Sequence, residues 1–565
     1  MKNTIVRIIA YFDKKNDFRQ WELAKYALAT LCIFLPGLGR FIHYFNYSCL
    51  FTFMAFYCLC FGLIVLFRID RRYLIPFMVL GISGIGYQIG IGKPLGYQTL
   101  TAMYETNHRE MMGFLFSSPY NIPIILIGLA VFAFFIWIIV NDTPLPFLHR
   151  HTFVRKRYLL PFLLVSAVLF ATTNWRIRQT YPICLFYNNF MYVDENISLS
   201  DYTKTPYRCP EEFLPRNPPD ETYVLVIGEA ARRISFSAYG YKRETSTELD
   251  KMLKSHPENI VLYSDAISTA AFTKASAMSI YSPLPVPEEQ TSLHTKPGLA
   301  KIFNGSGVHT LYVTTRPKYA VRNMLSTLLD EAEKVVYLTT LTKRAFDEET
   351  VPVIADYLQS TPGRKLIILH LMGSHIKYSD QYPKSFRHFT DGNDKMVDTY
   401  DDSIRYSDHV LKRVADLVLY EKKPACMLYV SDHGENLNDM KDGNYGHGTR
   451  ALTKYELDVP FIFYMNDKFI VTHADFAQFI ASRKDKPVSH DNIAHTFMGI
   501  AGLHDPLLYR PDFDITSKDF KTGIRYITDE NMNVFDYATF DFSKKDKIEE
   551  IKKTLAEEYR SKFTW

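Results

Sequence analysis

Leu428-Tyr429-Val430-Ser431-Asp432-His433-Gly434 is an apolar run that stops abruptly on a carboxylate, an imidazole and a glycine. Its length and its β-branched and aromatic content predict a strand buried on both faces. Two distant stretches have the same form. Val224-Leu225-Val226-Ile227-Gly228-Glu229 runs into a glutamate, and Ile367-Ile368-Leu369-His370-Leu371-Met372-Gly373-Ser374-His375 runs into a histidine. Further runs of this kind occupy residues 308–315, 335–338 and 460–465, and helical patterns fill residues 348–359 and 397–420. Strand–helix alternation predicts an α/β domain with a central, mostly parallel sheet. In open sheets of that class chemistry gathers at the carboxyl ends of the strands. Glu229, His375, Asp432 and His433 are therefore expected at one edge, although they are far apart in the chain.

A carboxylate beside an imidazole is a good zinc set, and carboxylate also suits manganese. Neighbouring side chains on a strand diverge, but a turn at Gly434 would let Asp432 and His433 face one ion. Glu229 would then be a third ligand. The plainer reading of one such Asp-His pair is a capped turn; the polar ends at Glu229 and His375 weigh against it. A metal site needs a group to activate. Ser268-Thr269-Ala270-Ala271-Phe272-Thr273-Lys274-Ala275-Ser276 offers several hydroxyls, and Thr273 stands where a helix is expected to begin. The N–H groups at a helix start favour anions, so a hydroxyl there suits a phosphoryl group, and a nearby metal would make it a nucleophile. The simpler alternative is Thr273 as a helix N-cap. His447 lies between Gly446 and Gly448, in a loop that a ligand can approach closely. His375 and His447 are candidates to donate to phosphate oxygens, to act as acid or base, or to bind a second ion.

The first 175 residues read differently. Five apolar stretches, residues 26–45, 50–67, 73–91, 122–140 and 159–173, approach the length that crosses a bilayer. Lys and Arg crowd the amino terminus and the loops after the second and fourth stretches. By the positive-inside rule the amino terminus is cytoplasmic, and everything after Trp175 lies on the outer side. The expected organisation is a five-helix transmembrane domain over residues 1–175, a linker with an interfacial segment over 176–220, and an exported catalytic domain over 221–565. The net charge of the 565 residues is only +4, with no basic stripe, which excludes a nucleic-acid partner. The chain has seven cysteines and no CxxC, which argues against a cysteine-zinc site. Cys184 and Cys209 are candidates to pair in an exported domain, and Cys426 is expected to be a buried thiol.

Three strings together carry a family resemblance. They are Gly228-Glu229-Ala230-Ala231-Arg232-Arg233, continuing to Tyr241; His370-Leu371-Met372-Gly373-Ser374-His375; and Ser431-Asp432-His433-Gly434-Glu435. The chain resembles the membrane phosphoethanolamine transferases that modify lipid A and lipopolysaccharide core, within the sulfatase and alkaline-phosphatase-like superfamily. The resemblance implies five spans followed by a periplasmic sulfatase-like domain, anchored in a bacterial inner membrane. It implies Zn2+ held by Glu229, Asp432, His433 and Thr273, with Thr273 also the nucleophile. His375 and His447 would bind the phosphoryl group or the ethanolamine side. Glu105, Asn107 and Glu110 fall in a stretch similar to the family's outer loop, and would meet the ethanolamine ammonium or the head group. The donor would be phosphatidylethanolamine and the acceptor lipopolysaccharide, at lipid A or core.

Many lipid A members carry a Gly-Thr-x-Thr segment followed by Pro-Cys near the nucleophile. Here Phe272-Thr273-Lys274-Ala275-Ser276 is closer to the core-modifying members, and Thr269 is a second hydroxyl to weigh. Two other functions fit part of the pattern. One is a glycerol-phosphate transferase similar to lipoteichoic-acid synthase, which uses manganese. The other is a non-catalytic membrane sensor, which predicts loss of a metal or nucleophile residue.

Overall fold

The structure is a computed structural model. It describes residues 25–33, scattered positions between 57 and 137, and most of residues 206–542. Within the last range it leaves out 287, 289–295, 319–323, 341–342, 391, 393, 440–444, 449–451 and 530–532. Contacts divide the chain into two compact units, Met1–Tyr192 and Val193–Trp565.

In the first unit, residues 25–33 are helical, and Tyr26, Ala29, Cys32 and Ile33 pack with Ile64, Leu74 and Met78. No described helix is long and apolar enough to cross a membrane. The five expected spans fall mostly outside the described residues. Glu105, Asn107, Glu110, Cys184 and the chain after 542 lie wholly outside them.

The second unit is built on one sheet of seven strands: Thr222–Gly228 (β1), Ile260–Leu262 (β2), His309–Thr314 (β3), Lys334–Tyr337 (β4), Lys365–His370 (β5), Ala425–Ser431 (β6) and Phe461–Met465 (β7). Their order is β2-β7-β6-β1-β5-β3-β4. β6, β1, β5, β3 and β4 pair in parallel, and β7 runs against both β6 and β2. The expected α/β class with a mostly parallel sheet is what forms, and each of the six apolar runs lies on a strand.

Alternation along the strands makes two cores. Tyr223, Leu225, Ile227, Leu366, Ile368, Leu428 and Val430 face one way, and Val224, Val226, Ile367, Leu369, Met427 and Tyr429 face the other. The first face is covered by helices Thr273–Tyr281 (α1) and Asp491–Ile500 (α3), and the second by Lys395–Leu419 (α2). Because both faces are covered, the strands read as unbroken apolar runs. All seven residues of β1 are buried, so Leu225→Ala is expected to cost about 2–5 kcal/mol. The long helix α2 is started by Asp394, whose carboxylate accepts from the Met396 and Val397 N–H groups.

Register brings the polar strand ends together. Ile227 of β1 pairs with His370 of β5, and Gly228 with Ser431 of β6. One residue further on, Glu229 and Asp432 leave neighbouring strands at the same edge. Cys209 and Cys426 are buried free thiols.

Candidate functional site

Asp432 and His433 follow β6 at a turn, as the sequence suggests, and the reason lies in two backbone arrangements. Gly434 donates its N–H to the Glu456 carbonyl at 2.7 Å. A Cβ at this position would stand 2.2 Å from the Tyr455 carbonyl oxygen, so only glycine permits the approach. Asp432 Oδ1 accepts from the Ala230 N–H at 3.1 Å and from the His433 N–H at 2.7 Å. That oxygen ties the loop after β1 to the loop after β6 and leaves Oδ2 facing the imidazole. Ala230 takes a left-handed conformation, φ 54°, which for a residue with a Cβ costs on the order of 1–2 kcal/mol. The turn it makes is held by Tyr400, whose hydroxyl donates to the Ala230 carbonyl and accepts from the Arg232 N–H.

The His433 ring is oriented by the Gly434 carbonyl, which lies 2.8 Å from Nδ1. A carbonyl only accepts, so Nδ1 carries the proton and, in the neutral ring, Nε2 is the lone-pair nitrogen. Nε2 stands 3.3 Å from Glu229 Oε1 and 3.6 Å from Asp432 Oδ2. All three atoms are buried, and none has a hydrogen-bond partner. Buried polar atoms are nearly always paired. Three unpaired ones that converge could hold a cation, and two carboxylates with an imidazole fit zinc.

Burial disfavours each charge here, and the neighbours decide the outcome. Burial raises the Asp432 carboxyl, with the Glu229 charge adding to it, to about 6. Burial acts to lower His433, but the Asp432 and Glu229 carboxylates outweigh it and hold the ring at about 10. Burial also raises Glu229; Arg316 and His433 overcome it and hold that carboxyl well below its usual range.

Thr273 is the first residue of α1, not its N-cap; Phe272 holds that position with no side-chain cap. The threonine hydroxyl is turned into the site and donates to Glu229 Oε2 at 3.1 Å. The other hydroxyl weighed in the sequence, Thr269, is fully buried and shares a hydrogen bond with Ser279 at 2.9 Å. Thr273 is therefore the hydroxyl that the fold turns to the ligand cluster.

His447 joins the same cluster with Glu229 and His433. Its ring lies 3.9 Å from that of His433, centre to centre, and its Nδ1 is 2.6 Å from Glu435 Oε2. A carboxylate behind a histidine sets the tautomer and frees the other nitrogen for a ligand. Gly448, at φ 63°, lies so close to Phe272 that a Cβ would meet that ring at 2.3 Å. His375 is placed differently. Its Nδ1 lies 2.6 Å from the Ile376 carbonyl, its charge is felt at Glu229, and it belongs to neither described group of convergent ligand atoms.

Sequence reasoning missed several residues. His370, at the end of β5, is fully buried, with Nε2 unpaired and grouped with Glu229 and Asp432. Its Nδ1 lies 3.0 Å from the Tyr281 hydroxyl at the far end of α1. Arg316 forms an ion pair with Glu229 Oε2. Glu435 positions His447. Asp347 accepts from the Met372 and Gly373 N–H groups, each at 2.9 Å, and fixes the loop that carries His375. The strand-end rule that found Glu229 also applied to Arg316, which follows the run 308–315.

Known proteins resemble this chain at both levels. The sulfatase family pattern matches residues 221–503. Phosphoethanolamine transferase EptC of Escherichia coli K12 is 26% identical over 512 residues, 82% of this chain and 86% of that protein. The crystal structure of the C-terminal periplasmic domain of EcEptC from Escherichia coli, in complex with Zn, superposes with a TM-score of 0.53 at 26% identity. It covers 60% of this chain and 98% of its own. The integral membrane protein lipooligosaccharide phosphoethanolamine transferase A of Neisseria meningitidis shares the fold, with a TM-score of 0.66 at 19% identity over 87% of this chain and 98% of its own.

Proposed function

The chain belongs to the sulfatase family, where it sits with the phosphoethanolamine transferases, and from that premise we propose that it moves phosphoethanolamine from phosphatidylethanolamine to a lipopolysaccharide acceptor, at lipid A or core, through a phosphothreonine at Thr273. The observation that carries this reading is the convergence of three unpaired buried ligand atoms on a site where Thr273 presents its hydroxyl.

Glu229, Asp432 and His433 would hold Zn2+, with Thr273 as a further ligand; the ion would lower the hydroxyl pKa and balance phosphoryl charge. The chain's own groups do the rest. Glu229 accepts the Thr273 hydroxyl bond and aims the oxygen. In the first transfer a bond forms between the Thr273 oxygen and phosphorus, and the bond from phosphorus to the diacylglycerol oxygen breaks. Diacylglycerol leaves as an alcohol with the proton that threonine gave up. In the second, an acceptor oxygen bonds to phosphorus, the bond from phosphorus to the Thr273 oxygen breaks, and that oxygen takes up a proton, from the acceptor hydroxyl or from solvent, to leave as the threonine hydroxyl. His375 and His447 serve these steps from the loops after β5 and β6, as proton donors or by binding the phosphoryl group. Positioning and charge stabilisation supply most of the rate.

The proposed setting is a bacterial inner membrane crossed five times by residues 1–175, a linker over 176–220 and a periplasmic catalytic domain over 221–565. Glu105, Asn107 and Glu110 would meet the donor's head group. Intact mass spectrometry after incubation with phosphatidylethanolamine and zinc tests the reading. A phosphoethanolamine adduct is expected on the parent and not on Thr273→Ala. An adduct formed from phosphatidylglycerol in its place would sink the donor assignment and favour glycerol-phosphate transfer.

A further inference from the structure

We propose that Arg316 is a catalytic residue of this site, its guanidinium contacting the phosphoryl group as it passes to and from the Thr273 oxygen. The inference rests on the phosphoryl-transfer reading above and adds a group which that reading lacks.

Arg316 and Thr273 share one acceptor. Glu229 Oε2 takes an N–H from Arg316 Nη1 and the hydroxyl of Thr273. Two hydrogen bonds to one oxygen hold the guanidinium nitrogen and the hydroxyl within roughly 6 Å of each other. A phosphoryl group seated on that hydroxyl has its non-bridging oxygens within reach of the arginine. The side chain is 13% exposed whereas Glu229 is completely buried, so the accessible member of the pair is the cation.

The cation is delivered from a braced strand end. The Arg316 N–H donates to Thr314 Oγ1 at 3.0 Å, and that hydroxyl donates to the His370 carbonyl at 2.6 Å. The neighbouring Thr315 hydroxyl bonds Asp347, which also holds the Met372 and Gly373 N–H groups. One carboxylate therefore ties the arginine's loop to the loop that carries His375.

The chemistry requires such a group. In this transfer the ethanolamine oxygen is the third equatorial substituent, so transition-state charge spreads over the two non-bridging oxygens of phosphorus. A planar guanidinium with five N–H donors matches both of them at once, which an ammonium does not. Arg316 gains and loses no proton in either step; it stabilises the charge while the Thr273 oxygen–phosphorus bond forms and the diacylglycerol oxygen leaves.

The test uses the full-length protein with its metal, as the parent, Arg316→Ala and Arg316→Lys. Three quantities are read: zinc content, affinity for inorganic phosphate, and the rate of adduct formation from phosphatidylethanolamine. Arg316→Ala is expected to keep zinc, bind phosphate at least about tenfold more weakly, and form adduct on the order of 100-fold more slowly. Low concentrations of guanidinium ion should restore part of that rate and potassium should not. Arg316→Lys should keep zinc and recover only a minor part of the loss. Parental rate and phosphate affinity in Arg316→Ala overturn the proposal. So does loss of zinc together with rate in both variants, which would make Arg316 a support for Glu229 alone. If the parent forms no adduct, the donor reading fails and phosphate affinity decides. Weakening in Arg316→Ala upholds the arginine's role, and unchanged affinity or a parent that binds no phosphate removes it.

Discussion

The two ends of strand β1 carry the same chemistry and use it in opposite ways. At the amino end Glu221 is almost fully buried; one oxygen lies 2.5 Å from His473 Nε2, and the other accepts the Tyr223 hydroxyl at 2.5 Å. Arg364 donates to that same hydroxyl at 2.8 Å. At the carboxyl end Glu229 meets His433 and Arg316, yet one glutamate oxygen, the imidazole nitrogen and an oxygen of Asp432 are left without partners. A glutamate, a histidine and an arginine thus close the carboxylate at one end, where both its oxygens are engaged and the orphaned atom is Arg364 Nε, and leave it open at the other. Residue type alone does not mark a site. What marks it is the set of bonds the fold declines to complete, since each unpaired buried group costs about 1–3 kcal/mol.

The sharpest attempt to break this contrast is Asp432→Asn. The amide would leave Oδ1's role in tying two loops largely intact and remove a ligand charge. Zinc affinity is expected to fall by more than about 100-fold, beyond the effect typical of a ligand's outer partners, and adduct formation with it. Equilibrium dialysis and intact mass read the two together; parental zinc binding in this variant would undo the site. Next comes chelation. An ion bound a thousandfold above its dissociation constant stabilises by about 4 kcal/mol, so a chelator should lower the melting temperature of the parent by several degrees. It should move that of Asp432→Asn far less.

Glu221→Gln addresses the closed end. It should cost about 1–3 kcal/mol in denaturant unfolding while zinc content stays parental; loss of zinc would erase the distinction between the ends. The smallest effect is a pH slope from a third kind of histidine. His495 is buried on α3, accepts the Arg510 N–H at 3.2 Å, and is lowered by burial, with Arg510 adding, to about 3. The unfolded ring takes its proton near pH 6.5, before the folded one does. The stability this residue contributes is therefore complete above that pH and is lost as pH falls toward 3, by at most about 1.4 kcal/mol per pH unit. His495→Asn should flatten the fall in melting temperature between those limits; an unchanged slope would show that other groups set it.

Much of the catalytic unit is legible in the chain because both sheet faces are covered. Unbroken apolar runs name the strands, and their polar ends name Glu229, Asp432 and His433. Thr273 is legible as a helix start and opens α1, its hydroxyl on Glu229; the N-cap alternative is the one that fails. Arg316 and His370 stand at strand ends, within reach of the same rule; Glu435 and Asp347 escape for a shared reason. Each acts on a partner supplied by another loop, and no local spacing encodes that meeting. His375 shows the converse. Its motif is distinctive, but its ring stands outside the convergent ligand groups, because the loop after β5 is held by Asp347 and by the Ser374 N–H bond to the Glu229 carbonyl at 2.9 Å. The amino-terminal expectations rest on residues outside those described.

The strand order carries a consequence in time. β1 is the first of the seven in the chain and stands fourth in the sheet, flanked by β5 and β6. Its partners come from residues 365–370 and 425–431, so the Asp432 N–H reaches the Gly228 carbonyl only after a very long loop has closed. Long-range pairings of this kind are slow to form. A nascent chain holds Glu229 long before it holds Asp432 and His433, and has no ion trap until the central strands have docked. Capture of an ion should therefore be a late event in the protein's maturation, reporting that β5, β1 and β6 have paired.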